Sequence, residues 1–211
     1  MNMKINVSIP VTPGREYLLP IILYSIKIAK NKVKSFEYKT IIFYHNTNYF
    51  VLSTITHFEE NEDIKLHIVA NDPLLNRLNL VHEVSRKNCD YHLNLGCDTL
   101  IHPDLFVLFQ QFYNINPRLP MMAFSKCFVL DLENLQSKVN DNKEMTISTR
   151  FYRSDIDIVF KSIHDDGIFQ IQIMEKHPKY VIWTATTMLG DDKDPFSMNY
   201  FDYTRNSEYE E

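Results

Sequence analysis

The first half of this chain repeats one pattern, and that pattern restricts the fold more than any other feature. A short apolar run of strand length is followed by a polar break and then by a longer segment with helical spacing. Ile5 to Ile9 alternates at period two and stops at Pro10. Glu16 to Lys30 then offers Leu18, Leu19, Ile22, Ile26 and Ile28 as a broad apolar face, with Pro20 early enough to be tolerated. Tyr38 to Tyr44 reads as a second strand and Tyr49 to Glu60 as a second helix. Lys65 to Ala70 and Leu74 to Lys87 give a third pair, and Tyr91 to Leu95 a fourth strand. His102-Pro103-Asp104 then opens an apolar segment, Leu105 to Tyr113, that reads as a helix with its proline in the first turn. Strands alternating with helices imply crossover connections, and therefore an α/β fold with a largely parallel sheet.

Such a sheet collects its strand ends on one edge, and ligands bind there. The ends are Pro10 to Arg15, His45-Asn46, Asn71-Asp72 and Gly96-Cys97-Asp98. Polar residues end most strands because loops are wet, and Asn46 and Asn71 need no other reason. Arg15 and Arg77 fit that explanation less well, since both fall near one crevice. Asp98 is a carboxylate at the end of a strand, where it either meets a ligand or only caps a turn.

The second half is less regular. Met121 to Leu130 reads as one strand, Asp131 to Lys143 as a short helix and loop, and Met145 to Tyr152 as a strand. Ser154 to Phe160 begins with a capping residue and the early acids Asp155 and Asp157, which favour a helix N-terminus. Lys179 to Thr187 is β-rich. The expected organisation is a single domain over 1–211, with a ligand-binding half at 1–115, a second half at 116–198, and a tail or linker at 199–211.

Composition narrows the function. A formal net charge of −5 gives no basic surplus to attract a nucleic acid backbone. Four glycines in 211 residues leave no Gly-rich phosphate loop of the P-loop or dinucleotide type. Three cysteines, Cys89, Cys97 and Cys127, are odd in number and widely spaced, which suits a reducing compartment, the cytoplasm, better than a disulfide framework. No secretory signal pattern precedes the first strand, and no apolar run is long enough to span a membrane.

Three stretches, in this order and spacing, resemble the GT-A fold glycosyltransferases, and family 2 in particular. Val7-Ser8-Ile9-Pro10-Val11-Thr12 is similar to their first strand and nucleotide-binding loop. Asn94-Leu95-Gly96-Cys97-Asp98-Thr99-Leu100-Ile101-His102-Pro103-Asp104 is similar to their metal-binding strand end. Ser154-Asp155-Ile156-Asp157, with Gly167 beyond it, is similar to their acidic segment. The likeness runs over about residues 4 to 170. It implies a three-layer, Rossmann-like GT-A fold: a central, mostly parallel mixed sheet flanked by helices. A closer likeness, to the N-terminal glycosyltransferase domain of a large chlorovirus protein that glycosylates capsid, implies host cytoplasm and further domains of a longer polypeptide.

By that resemblance the chain moves a sugar, as hexosyltransferases do, from a nucleoside diphosphate sugar, a UDP-sugar, to a glycan or glycoprotein acceptor such as a viral capsid glycan. Asp98 would hold a divalent cation, Mn²⁺ or Mg²⁺, on the diphosphate. Pro10, Val11 and Thr12 would line the nucleoside slot with backbone groups. Arg15 would stack on the base or reach a phosphate, Asn46 would read the pyrimidine edge, and Arg77 would face the phosphates. Cys97 would be a small residue near the ribose, and Asp155, with Asp157 as its competitor, the base that takes the acceptor's proton. Two positions depart from the family pattern. Gly96 stands where an aspartate is usual, leaving Asp98 without its partner, and Ser154 stands where a glutamate is common. The loss at Gly96 keeps open a non-catalytic sugar-nucleotide-binding module. A nucleotidyltransferase of related fold is a further alternative, although Pro13-Gly14-Arg15 only faintly matches the Gly-rich basic loop such enzymes carry.

Overall fold

A computed structural model describes residues 2–11, 16–45, 49–59, 64–69, 74–97, 99–118, 121–124, 127–131, 136–140, 149–156, 159, 180–182 and 186–188. The first half follows the alternation. Strands β1 (Met3–Pro10), β2 (Phe36–His45), β3 (Ile64–Val69) and β4 (Tyr91–Leu95) are separated by helices α1 (Leu19–Asn31), α2 (Tyr49–Glu59) and α3 (Leu74–Ser85). A single 3-10 turn, Glu16–Leu18, leads into α1, and Pro20 falls at its start, where its missing N–H is not needed.

Strand β1 pairs in parallel with β2 on one side and with β4 on the other, and β2 pairs in parallel with β3. The order β3-β2-β1-β4 therefore reverses between β1 and β4. Right-handed crossovers moving outward from β1 keep α1 and α2 on one face, and the return to β4 puts α3 on the other. Packing agrees. Ile5, Val7 and Ile9 of β1 join Leu19, Ile22 and Ile26 of α1 and Val51 and Ile55 of α2 in one core. The alternate residues Asn6 and Ser8 face α3. The Asn6 amide donates to the carbonyls of Ser85 at 2.7 Å and Lys87 at 3.0 Å, and Ser8 Oγ donates to Ser85 Oγ. Both are buried polar residues whose bonding is met by the helix above them.

Helix α4 (Leu105–Ile115) lies on the α1 face. Its Phe106 and Phe109 pack on Phe151 and Tyr91, with Phe109 stacked on Phe151 at 4.2 Å between ring centroids. Pro103 sits in the turn ahead of this helix rather than within it, and Asp104 takes the N-cap position. Its carboxylate accepts from Lys32 at 2.6 Å.

The second half departs from expectation at several points. The single strand expected over Met121 to Leu130 is two strands, β6 (Met121–Phe124) and β7 (Cys127–Asp131), which belong to different sheets. The polar stretch expected as helix and loop contains β8 (Gln136–Asn140), paired antiparallel with β7. Strand β9 (Thr149–Arg153) runs antiparallel between β4 and β6, and β10 (Tyr180–Ile182) completes a seven-stranded, mostly parallel sheet, β10-β6-β9-β4-β1-β2-β3. Directly after Asp98 the chain forms a short strand, β5 (Thr99–Ile101), which joins β11 (Thr186–Met188), β7 and β8 in a second, four-stranded sheet. The helix expected from Ser154 is absent among the described residues of that segment: 154–156 form a turn, closed by Ile156 N–H donating to Arg153 O at 3.1 Å. Among the described residues no helix is long and apolar enough to cross a membrane.

Candidate functional site

The point where strand order reverses is the crevice that open α/β sheets use for ligands, because adjacent loops leave it in opposite directions. Here it lies between β1 and β4. Ser8 is in register with Asn94, so Pro10 and Val11 at one strand end stand beside Gly96 and Cys97 at the other. Sequence reasoning placed the nucleotide site across these two ends, and the fold brings them together.

The described part of the first strand end is firmly held. Val11 is buried, and its N–H donates to Phe43 O at 2.8 Å, carrying the β1–β2 ladder one residue past the strand. Pro10 has no N–H to offer. The expectation that Pro10 and Val11 present backbone groups to a nucleoside therefore loses its amide donors, and only carbonyls remain at those two residues. Thr12 and Arg15 lie outside the described residues, as do Asn46 and Asp98. At the other strand end Gly96 is half-buried and Cys97 is buried at 3% exposure. The side chain at 97 is thus a small core group supporting the edge.

Helix α3 begins on the same edge of the sheet. It starts beyond the C-terminal end of β3 and runs back along the sheet, so Arg77 in its first turn belongs to the same edge as Gly96. The helix is fixed on the sheet by polar groups that sequence reasoning did not single out. Besides the Asn6 and Ser8 bonds, the Asn94 side-chain amide pairs with His82 Nε2 at 2.9 Å. His92, two residues before Asn94 on the same face, is fully buried. It stacks on Tyr152 at 5.3 Å and meets His82 edge-on at 5.7 Å. Among the described residues neither ring nitrogen of His92 has a hydrogen-bond partner, nor has Asn94 Oδ1. Burial, with the neighbouring His82 and Arg86 adding like charge, pushes the His92 pKa down to about 3. The signal for this cluster was present as His92 and Asn94 alternating with Leu93 and Leu95, but that spacing equally describes a wet strand face.

Asp155 is not brought to this site. Strand β9 is antiparallel to β4, with Thr149 opposite Leu95 and Arg153 opposite Tyr91. The chain therefore leaves β9 at the N-terminal end of β4, where Ser154 N–H donates to Asp90 O at 2.9 Å. Strand β4 alone is about 13 Å long, which puts Asp155 beyond hydrogen-bond reach of any group held at Gly96–Cys97. Its carboxylate is two-thirds exposed and accepts from Arg153 Nε at 2.6 Å. This corrects the assignment of Asp155 as acceptor base. Exposed pairs of this kind contribute about 0–1 kcal/mol. Asp155→Asn should accordingly leave turnover within about twofold of wild type, measured beside the thermal midpoint; a fall of a hundredfold would restore the carboxylate to the chemistry.

Two grooves, of about 360 and 770 Å³, open on the same far edge, with Lys4 and Glu37 lining both. They lie at the strand starts and are remote from the crevice. Among the described residues no group of three or more His, Cys, Asp or Glu side chains is arranged to hold a metal ion.

No protein-family model and no curated protein matches the sequence. Solved structures do match the fold. The S. aureus TarS 1–349 structure in complex with UDP-GlcNAc superposes with a TM-score of 0.68 at 15% identity, covering 92% of this chain and 60% of that one. The chain thus spans a little under two thirds of the length of that relative. A glucose-1-phosphate thymidylyltransferase from Bacillus anthracis, described as putative, matches at a TM-score of 0.59 and 11% identity, covering 96% of this chain and 94% of that one. CMP:2-keto-3-deoxy-manno-octonic acid synthetase complexed with CTP matches at 0.53 and 14%, covering 98% and 99%. Together they establish a GT-A-like, Rossmann-like α/β fold.

Proposed function

We propose that the chain is a sugar-nucleotide glycosyltransferase that binds a UDP-sugar in the crevice between β1 and β4. The observation that carries the reading is the parallel pairing of these two strands at the sheet's reversal point, with Gly96 and Cys97 delivered beside Pro10 and Val11. The fold shared with TarS, crystallised with UDP-GlcNAc, supports the same ligand class. In this reading the first turn of α3 offers Arg77 and the positive end of a helix to the diphosphate. Arg15 and Asn46 serve the base and Thr12 the nucleoside.

A divalent cation, Mn²⁺ or Mg²⁺, would supply Lewis-acid stabilisation of the leaving diphosphate. Hard cations take oxygen ligands. Gly96 provides no side chain and Cys97 is a buried thiol, so of this stretch Asp98 alone would hold the ion, with the bound nucleotide's phosphate oxygens as its other support. Binding of metal and nucleotide should therefore be strongly coupled. The acceptor is a glycan or glycoprotein; a viral capsid glycan rests on the sequence resemblance alone. With Asp155 at the far edge, the acceptor's base is left unassigned.

One observation favours a second reading. The two nucleotidyltransferase structures match this chain over nearly the full length of both partners, which TarS does not. Titration calorimetry with UDP and UDP-GlcNAc, with and without Mn²⁺, tests the first reading, with a donor hydrolysis assay alongside. Metal-dependent binding of UDP together with slow release of free sugar is expected. Release of pyrophosphate from a nucleoside triphosphate and a sugar 1-phosphate would transfer the site to the second reading. Binding with no turnover of either kind would make the domain a sugar-nucleotide-binding module.

A further inference from the structure

Strands β1 and β4 have two unlike faces. Towards α1 they present Val7, Ile9, Leu93 and Leu95, all buried in the apolar core. Towards α3 they present Asn6, Ser8, His92 and Asn94, and the first three are buried at 3% exposure or less. Apolar contact on this side is small among the described residues: Val81 and Val84 of α3 against Ile41 and Phe43. Stability alone does not account for a polar layer here, since burying polar groups costs free energy that apolar residues of the same size would not. Asn94 shows the cost directly, because its Oδ1 has no partner among the described residues.

What such a layer supplies is register. Apolar attraction has no direction, so faces held by it alone can slide. A hydrogen bond weakens steeply off its geometry and fixes one point against another. The fixed points run in order along α3. Asn6 meets the carbonyls of Ser85 and Lys87, Ser8 meets Ser85, and Asn94, in register with Ser8, meets His82 at 2.9 Å. Helix and strands thus run in opposite directions, and of these contacts Asn94–His82 stands nearest the crevice. Residue 77 precedes His82 by five positions, about 7.5 Å of helix. Gly96 follows Asn94 by two, about 6.6 Å of strand. The first turn of α3 therefore comes level with Gly96, and the Asn94–His82 pair is the clamp beside it.

We propose that Asn94, acting through His82, is a positioning residue for the diphosphate: the pair sets how far the first turn of α3 reaches along β4. This rests on the reading of the β1–β4 crevice as a UDP-sugar site. The base and ribose do not depend on the clamp, so its loss is felt by the phosphates and not by the nucleoside.

Titration of the full chain with UDP and with uridine, in the presence of Mg²⁺ and followed by NMR, tests this. Asn94→Leu should raise the Kd for UDP about tenfold while that for uridine stays within about twofold, because a slide of roughly 1 Å is costly at the displaced group alone. Its thermal midpoint should move by no more than about 3 °C, since the unmet acceptor leaves with the lost contact. His82→Leu should give the same split. His82→Gln, whose amide reaches where Nε2 stands, should bind UDP within about threefold of wild type. Equal weakening of UDP and uridine would make the pair a structural contact only and overturns the proposal. So does unchanged UDP affinity in the leucine variants, or a His82→Gln variant no better than His82→Leu. Those outcomes leave the crevice reading intact. A wild-type chain that binds neither ligand fails at that reading and takes the proposal with it. If Asn94→Leu does not fold, the two His82 variants make the same comparison from the helix side.

Discussion

Asp98→Asn should lower Mn²⁺-supported affinity for UDP by roughly two orders of magnitude or more, with donor hydrolysis falling at least as far. The size of the effect follows from the neighbouring positions. In a site with two carboxylates the second retains the ion when the first is neutralised. Here Gly96 leaves nothing to fall back on. The amide of asparagine keeps the shape and one oxygen but loses the charge that pays for dehydrating a small dication. The fold should be indifferent, with the thermal midpoint moving by no more than about 2 °C, because asparagine keeps the shape of the side chain it replaces. Titration calorimetry over a Mn²⁺ series measures both affinity and coupling. Gly96→Asp is the converse: a second oxygen ligand should tighten metal binding about tenfold and loosen its dependence on nucleotide. Unchanged metal dependence in Asp98→Asn would remove the ion from this strand end.

The second large effect concerns His92 and acid. Its pKa in the folded chain is pushed down to about 3 by burial, against 6.5 for a free imidazole. Between those values the unfolded chain binds a proton that the folded chain refuses. Stability is therefore fully present above about pH 6.5 and is lost as the pH falls towards 3, at about 1.4 kcal/mol per pH unit from this one group. His92→Phe keeps a ring against Tyr152 and His82 while removing two nitrogens that have no partner among the described residues. Burying an unmet donor and acceptor costs about 1–3 kcal/mol. The variant should therefore be more stable than wild type at pH 7, and the gap should widen from pH 6 to pH 4. Urea denaturation across that interval reads the difference directly. Parallel pH profiles for the two proteins would show that His92 is solvated or bonded in solution.

The alternation of apolar strands with helical segments was enough to establish the α/β class, the four parallel strands and the edge on which their ends gather. It worked because burial on a sheet or a helix imposes a period on the sequence, and a parallel sheet must send its strand ends one way. The pairing of the Pro10 end with the Gly96 end was legible for the same reason. Other features became definite only in three dimensions. A period of two carries no direction, so nothing in Thr149 to Arg153 announced that β9 runs against β4 and takes Asp155 to the far edge. Nor does that period say whether a polar face is wet. Asn6, Ser8, His92 and Asn94 look solvated in the sequence and are roofed by α3, because the return crossover to β4 must cover that face. The apolar residues on the outside of α1 were read with the inner ones as one broad hydrophobic surface; only the packed helix separates the stripe spent on the core from the stripe left exposed. Local sequence chose the elements, while the order in which strands pair decided which side chains share a site, since residues distant in sequence meet only through that pairing.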